Sequence, residues 1–517
     1  AGVQVFDRHY MLGLVRPGSG EDGAVCGLLC CDVTRQRTED RGLVLFNCLN
    51  VVVAGGGPGE LYELSVYPRG QMGPYAQLLE AGAVAHNLTE LQFGIASLEP
   101  RWNLSGTYQQ VVPRYYSTDA SGDDVREFLN PWFDSMAELG TSIFLKGYQW
   151  PFDPEKLPGS SLIDVLVQRE TVGLGRRVFV DYRRNPLATD GLEEFGLDRL
   201  GEEAREYLAR SGADQPTPVQ RLAHMNQPAV DLYLEMGVDL AREPLEVGVC
   251  CQHCNGGFAV DTWWESTVPH LFVIGELAGT HGVKRPGGSA LNSGQVGALR
   301  AAQRIAHVYS RDPMDVGSFG GAAVGSVERA MSAIARVQDA EPASPDCRAA
   351  RAGIQRRMTA AAGMVRSPAA VQAALKAAGE EWRQVRQVGL RQEGAGYLEA
   401  LKVRELALAQ LAFLEGARAL IDRGGGSRGS HLVTDPDGAT PHPELGEQWR
   451  FLPENRDLRE EILGVRYDAD EDTFRTEVTA PRPFPQDDSW FENTWAEFRR
   501  GEVFRGRDLD SPRPYET

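Results

Sequence analysis

The 517-residue chain has no run of about twenty apolar residues, which argues against a membrane-spanning helix. Its amino-terminal stretch lacks the basic-then-apolar pattern of a secretory signal. A cytoplasmic location is therefore the expectation, and the sequons at Asn87-Leu-Thr and Asn103-Leu-Ser read as chance matches. Cysteine is scarce: eight residues, at 26, 30, 31, 48, 250, 251, 254 and 347, in no arrangement that suggests a secreted disulfide framework. Cys251-x-x-Cys254 has the spacing of half a zinc site, but no second such pair or histidine cluster completes it, so no metal is expected. Positive charge is also short, 53 Lys and Arg against 72 Asp and Glu, a net charge of −19. That balance argues against a nucleic-acid partner and against an anionic membrane surface. The acidity is spread along the chain and reads as solvated surface. No internal repeat or low-complexity tract is evident.

What is present implies two to four domains of α/β type, since the chain is too long for one ordinary core and carries 57 glycines. Residues 3–15 and 27–33 read as strands, and 42–54 ends in the strongly apolar run 50–54 before Gly55-Gly56-Gly57-Pro58-Gly59. This glycine cluster is not a dinucleotide fingerprint: its spacing differs from G-x-G-x-x-G and Pro58 removes a donor. Between 96 and 246 the composition shifts to Trp, Tyr and Pro mixed with charged helical segments, including a helix pair or bent helix at 218–237 with Pro228 as the break. Residues 304–321 read as a Gly-rich linker. Three helices are expected in 322–423, with interruptions near Pro342, Pro345 and Pro368, and a hairpin around 465–478.

The most informative stretch is 250–295. Here Leu271 to Ile274 form a short apolar strand ending at Gly275-Glu276, and Arg285-Pro286-Gly287-Gly288 enters a helix with Ala and Gly on one side. Such a turn offers free N–H groups and the positive end of a helix dipole to an anion or an electron-rich ring edge. His253 with Gly256-Gly257, then Gly275-Glu276, then Arg285 through Leu291 occur in an order that resembles the carboxy-terminal flavin segment of the fumarate reductase, succinate dehydrogenase and L-aspartate oxidase flavoproteins. The resemblance extends over roughly residues 1–435, from a flavin-contacting turn at Gly55-Gly56 to a closing Ser427-Arg428-Gly429-Ser430-His431.

What the resemblance implies is an FAD-dependent oxidoreductase subunit that transfers hydride between flavin and a small polar, carboxylate-bearing substrate. The fold would be α/β: a partial, Rossmann-like FAD-binding domain in two parts, 1–95 and 247–320, with an α+β capping domain inserted at 96–246. A helical domain at 321–435 and an extension at 436–517 would follow. Gly55, Gly56, Glu276, Gly287, Gly288, Ser289, Ala290 and Leu291 would contact the cofactor, while His253 and Arg285 would grip a carboxylate, with His281 and Lys284 as nearby alternatives. Arginine suits that task because its planar fork can pair both oxygens.

In that family a βαβ unit binding the ADP half of FAD precedes the Gly55-Gly56 turn, whereas only about fifty residues do so here. A separate polypeptide carrying G-x-G-x-x-G is therefore expected, the alternative being a processing boundary. The pattern also departs from the family: its Gln-Phe-His-Pro-Thr-Gly is Gln92-Phe93-Gly94-Ile95-Ala96-Ser97, and the position of its proton-donating arginine falls at Asp164 or Val165. Arg169, one helical turn on, is a candidate substitute. These departures leave a second reading open, a non-catalytic structural subunit of a larger redox complex.

Overall fold

A computed structural model describes residues 2–17, 23–309, 311–394, 396–483, 486 and 488–504. An antiparallel meander of β1 (His9–Val15), β2 (Gly27–Asp32) and β3 (Leu43–Asn47) leads to β4 (Val51–Val53), α1 (Tyr75–Glu80), β5 (Ala85–His86) and β6 (Leu91–Leu98). An insertion follows: β7 (Arg101–Asn103), α2 (Thr107–Gln110), β8 (Arg114–Thr118), α3 (Met136–Leu145), α4 (Ser161–Gln168), β9 (Arg177–Asp181), α5 (Glu202–Arg210) and α6 (Pro218–Glu235). The chain returns through β10 (Leu245–Cys254), and the five strands order as β7-β6-β10-β9-β8, antiparallel throughout. Thr217 and Gln220 form a capping box at the start of α6 with Pro218 at its first position. The helix breaks at Asn226, two residues before the expected Pro228.

After β11 (Gly257–Phe258), β12 (Leu271–Val273) pairs in parallel with β4, and α7 (Ser289–Val308) passes beside the ends of these strands. Gly256 and Gly257 lie where no side chain fits: a Cβ would overlap the backbone oxygen of Asn87 at one and of Leu277 at the other. The helical part comprises α8 (Val316–Gln338), α9 (Cys347–Ala361), the short β13 (Val365–Arg366), α10 (Pro368–Val388) and α11 (Leu398–Asp422). β14 (Leu432–Ala439), the hairpin β15 (Ile462–Asp468) with β16 (Thr473–Thr479), and α12 (Trp490–Arg500) follow. Residues 505–517 of the expected extension lie outside the described residues. One contiguous apolar core runs from Leu14 through Phe93 and Ile163 to Leu406 and Val465. Helix α11 is buried on nearly every side, as its Leu- and Ala-rich sequence permits. No helix among the described residues is long and apolar enough to cross a membrane.

Two expectations need correction. The linker expected at 304–321 is largely helical, because α7 continues to Val308 and α8 starts at Val316 with Asp315 capping the N–H of Ser318. Packing overrides the low helix propensity of its glycines: Phe319 inserts against Gly27 of the meander, where a Cβ would lie 2.5 Å from the ring. The region 322–423 holds parts of four helices rather than three, because Gly389, at φ 72°, reverses the chain between α10 and α11.

Glu405 of α11 is buried and accepts a hydrogen bond from the Tyr10 hydroxyl of β1. Burial pushes its carboxyl up from 4.5 to about 8, so the folded protein keeps a proton that the unfolded chain releases. Stability from this group is complete below pH 4.5 and is lost as pH rises towards 8, at up to about 1.4 kcal/mol per pH unit. Glu405→Gln, which mimics the protonated acid, should therefore flatten the decline of melting temperature between pH 5 and 9 and leave the variant more stable than wild type at pH 9. Parallel pH profiles for the two proteins would contradict this.

Candidate functional site

The strands that enter and leave the insertion, β6 and β10, lie side by side with Gly94 opposite Cys250 and Phe93 opposite Cys251. The register then slips, so that His253, not Gln252, stands opposite Gln92. A bulge of this kind re-aims side chains, and here it brings the His253 and Gln92 positions together. From the turn before α7, Arg285 donates Nε and Nη2 to the Gln92 Oε1, at 3.1 and 2.7 Å. Gln92 thus fixes the guanidinium in place.

His253 Nδ1 lies 3.1 Å from Asn255 Oδ1, and the Asn255 amide group donates to the Val283 carbonyl at 3.1 Å. That orientation makes Oδ1 the acceptor, puts the imidazole proton on Nδ1 and leaves a lone pair on Nε2. Burial, with Arg285 and His281 alongside, holds His253 down at about 3, so the ring is neutral. His281 meets it edge to face, with ring centroids 4.9 Å apart. Trp150 fills the space over Gly94: its Nε1 is 2.6 Å from where a Cβ at that position would sit. His253 Nε2, both nitrogens of His281, Trp150 Nε1 and Gln252 Oε1 are all buried without a hydrogen-bond partner among the described residues. Each unpaired buried group costs on the order of 1–3 kcal/mol, and a polar ligand would relieve it.

The ladder is buttressed from behind. Arg428 donates Nε and Nη2 to Glu90 Oε1, at 2.9 and 2.7 Å, in a pair sealed from water. The Glu90 carbonyl accepts the Asn255 N–H at 2.8 Å, and Ser430 Oγ accepts the N–H of Phe93 at 2.8 Å. On the open side, Lys284 reaches Asp153 at 3.0 Å and Glu155 at 2.6 Å, joining the turn before α7 to the insertion.

Glu276, just past β12, accepts the N–H of Cys254 at 2.8 Å and the hydroxyl of Tyr67 on its Oε1. Burial raises its pKa. A side chain on Gly57 would overlap this carboxylate, so Glu276 holds the glycine turn after β4 against β10. Within that turn the Gly55 carbonyl accepts from Gln71 Nε2 at 2.6 Å, and Gly56 has φ 70°. By contrast a Cβ at Gly275, Gly287 or Gly288 would meet nothing within 4 Å. Gly288 starts α7 without a side-chain cap, Ser289 and Ala290 follow half-buried, and Leu291 is exposed. The result is a side-chain-free floor beside a helix N-terminus, which fits a flat ring system with an electron-rich edge.

The described contacts of Arg169 involve none of these groups. It pairs with Glu170 and lies over the Trp132 ring, 5.4 Å from its centroid. Asp164 is fully buried and paired with Lys146 at 2.7 Å. Among the described residues no group of His, Cys, Asp and Glu is arranged to hold a metal. Sequence reasoning missed Trp150, Gln252 and Asn255. The replacement of a side chain by Gly94 was a signal that something else fills that space. The neutrality of His253 is testable by its imidazole nitrogen shifts, which should report a neutral Nδ1–H ring at pH 5.5; protonation near pH 6.5 would refute it.

No family model matches the chain. Over 238 residues it is 28% identical to a component of the fumarate reductase (CoM/CoB) of Methanothermobacter marburgensis, covering 45% of this chain and 40% of that protein. It is 25% identical over 317 residues to the chloroplastic L-aspartate oxidase 2-b of Nicotiana tabacum, covering 59% of this chain and 40% of that one. The chain therefore spans about 40% of the length of these curated relatives. A quinol-fumarate reductase solved with menaquinol molecules shares the fold, with a TM-score of 0.63 at 17% identity over 94% of this chain and 74% of that one. In sequence the chain is thus similar to flavoproteins named fumarate reductase and L-aspartate oxidase, and it shares the fold of a quinol-fumarate reductase.

Proposed function

We propose that the chain forms the ring-side and substrate-side half of an FAD-dependent oxidoreductase acting on a small carboxylate-bearing molecule. The observation that carries this reading is the convergence of Arg285, neutral His253 and several buried, unpartnered polar atoms at the β6–β10 ladder. Gly55, Gly56 and residues 287–291 would hold the FAD ring system, together with the Glu276 oxygen not engaged by Tyr67 and Cys254. When bound, the flavin supplies the hydride acceptor or donor.

Arg285, fixed by Gln92, presents the charge for a substrate carboxylate. His253 adds no positive charge; its Nε2 lone pair takes a hydrogen bond or a proton from a substrate hydroxyl or amino group. A hydroxy- or amino-carboxylate satisfies both residues. Trp150 Nε1 adds a donor beside Gly94, where the family's histidine would stand.

We assign the ADP half of FAD to a G-x-G-x-x-G unit docked on the open edge of β4, carried by a second polypeptide or by a longer form of this chain. The open edge of β4 supports this. Val51 N–H bonds to His270 and Ile274 N–H to Val53, which turns the Val52 amide and carbonyl away from β12. Val52 is also 45% exposed. Parallel sheets are ordinarily covered, so this edge suits an added parallel strand.

The natural protein, purified with whatever accompanies it, should show an oxidised-flavin spectrum that bleaches with a 2-hydroxy or 2-amino dicarboxylate. Arg285→Gln should lower kcat/KM by about 10–100-fold with flavin retained, from loss of a charge-assisted hydrogen bond. Unchanged turnover would exclude the role given to Arg285. A colourless preparation without a co-purifying G-x-G-x-x-G polypeptide would overturn the flavin reading.

A further inference from the structure

A cavity of about 1230 Å3 opens between the meander, α8, the α10–α11 pair and the β15–β16 hairpin. None of His253, Arg285 and Glu276 lines it. Apolar walls come from residues such as Leu12, Leu14 and Leu401. Eight arginines and seven carboxyl side chains also line it, in a chain whose net charge is −19.

Three of the arginines, from three different helices, are close enough to repel one another: Arg336 of α8, Arg386 of α10 and Arg404 of α11. The positive charges of Arg404 and Arg386, after burial, hold the Arg336 guanidinium below its ordinary range. Arg386 is offset by Asp472 at 2.5 Å and Arg404 by Glu80 at 2.6 Å. Arg336 has no carboxylate partner among the described residues; its hydrogen bond goes to the Ser332 hydroxyl at 2.7 Å. Arg404 Nε is buried and unpartnered. Glu405, the carboxyl next to Arg404 in sequence, is pushed up to about 8 by burial and accepts its hydrogen bond from Tyr10 instead of a guanidinium. Arg386 and Arg404 both lie over the ring of Trp382, at 5.6 and 5.1 Å from its centroid, which orders these two cations before any ligand arrives.

We propose that this cavity is a second small-molecule site, separate from the flavin-family site, that binds a phosphorylated compound. Its phosphate or diphosphate group sits among Arg336, Arg386 and Arg404, and its apolar body rests against Leu12, Leu14 and Leu401. A phosphate fits better than a single carboxylate because it carries close to two charges and several acceptor oxygens for guanidinium groups arriving from three helices.

Calorimetric titration of the full chain with inorganic pyrophosphate tests the head-group site. Comparing phenyl phosphate with inorganic phosphate tests the apolar wall. Pyrophosphate should bind at one equivalent, raise the melting temperature, and weaken at least tenfold in Arg336→Gln and in Arg386→Gln. Arg336→Lys should keep most of the affinity, and phenyl phosphate should bind more tightly than phosphate. Arg285→Gln should leave pyrophosphate binding unchanged, which separates this outcome from that of the oxidoreductase proposal. Because Arg336 is only half-buried and makes one described side-chain bond, its variants should retain the wild-type melting temperature without ligand. Absence of saturable binding, equal affinity in both glutamine variants and wild type, or loss of binding in Arg285→Gln would overturn the proposal.

Discussion

The antiparallel ladder between β6 and β10 is the constraint on which the site depends. These strands open and close an insertion of about 150 residues, and their one-residue slip sets His253 opposite Gln92. Gln92 then positions Arg285, which comes from a turn almost two hundred residues further along the chain. The ladder is held in turn by the buried Glu90–Arg428 pair, whose arginine lies beyond the whole helical region. Such a pair adds little net stability, but removing one partner leaves the other charged and buried, typically at a cost of about 3–5 kcal/mol. It ties the last part of the fold to the strand that carries the site.

Elements with a local cause were the legible ones. β12 and β4 followed from short apolar runs ending in glycine, and the break in α6 from its proline. Gly256 and Gly257 stood out in sequence, and the structure gives the reason in the backbone oxygens packed against them. What could not be read depends on contacts between distant segments. The Gly-rich start of α8 is helical because Phe319 packs on Gly27. The bulge that selects His253 over Gln252 is a property of pairing, not composition. The resemblance makes Glu276 a cofactor-facing carboxylate, and the structure turns one of its oxygens inward to Tyr67 and Cys254. Arg169 was placed by helical spacing alone, which fixes a face of the helix but not what lies opposite.

Burial decides the charge state of the central polar groups more than their intrinsic acidity does. His253 is neutral where the resemblance suggested a carboxylate-gripping residue, and Glu405 keeps its proton at neutral pH. Positive charge meets the interior at Arg285 beside the ladder and at Arg386 and Arg404, which lie over the Trp382 ring in the helical region.

The bridge from Lys284 to Asp153 and Glu155 has a different character from these interior contacts. Its lysine side chain is 43% exposed and Glu155 56% exposed, so water and dissolved ions compete for it. Exposed pairs of this kind are worth about 0–1 kcal/mol and weaken further as salt shortens the Debye length. The insertion is therefore joined to the α7 turn on its outer side by a link of thermal strength, while the β6–β10 ladder behind it is buried and continuously hydrogen-bonded. Rising ionic strength therefore loosens the tie between the insertion and the α7 turn, and leaves the buried ladder behind it unchanged.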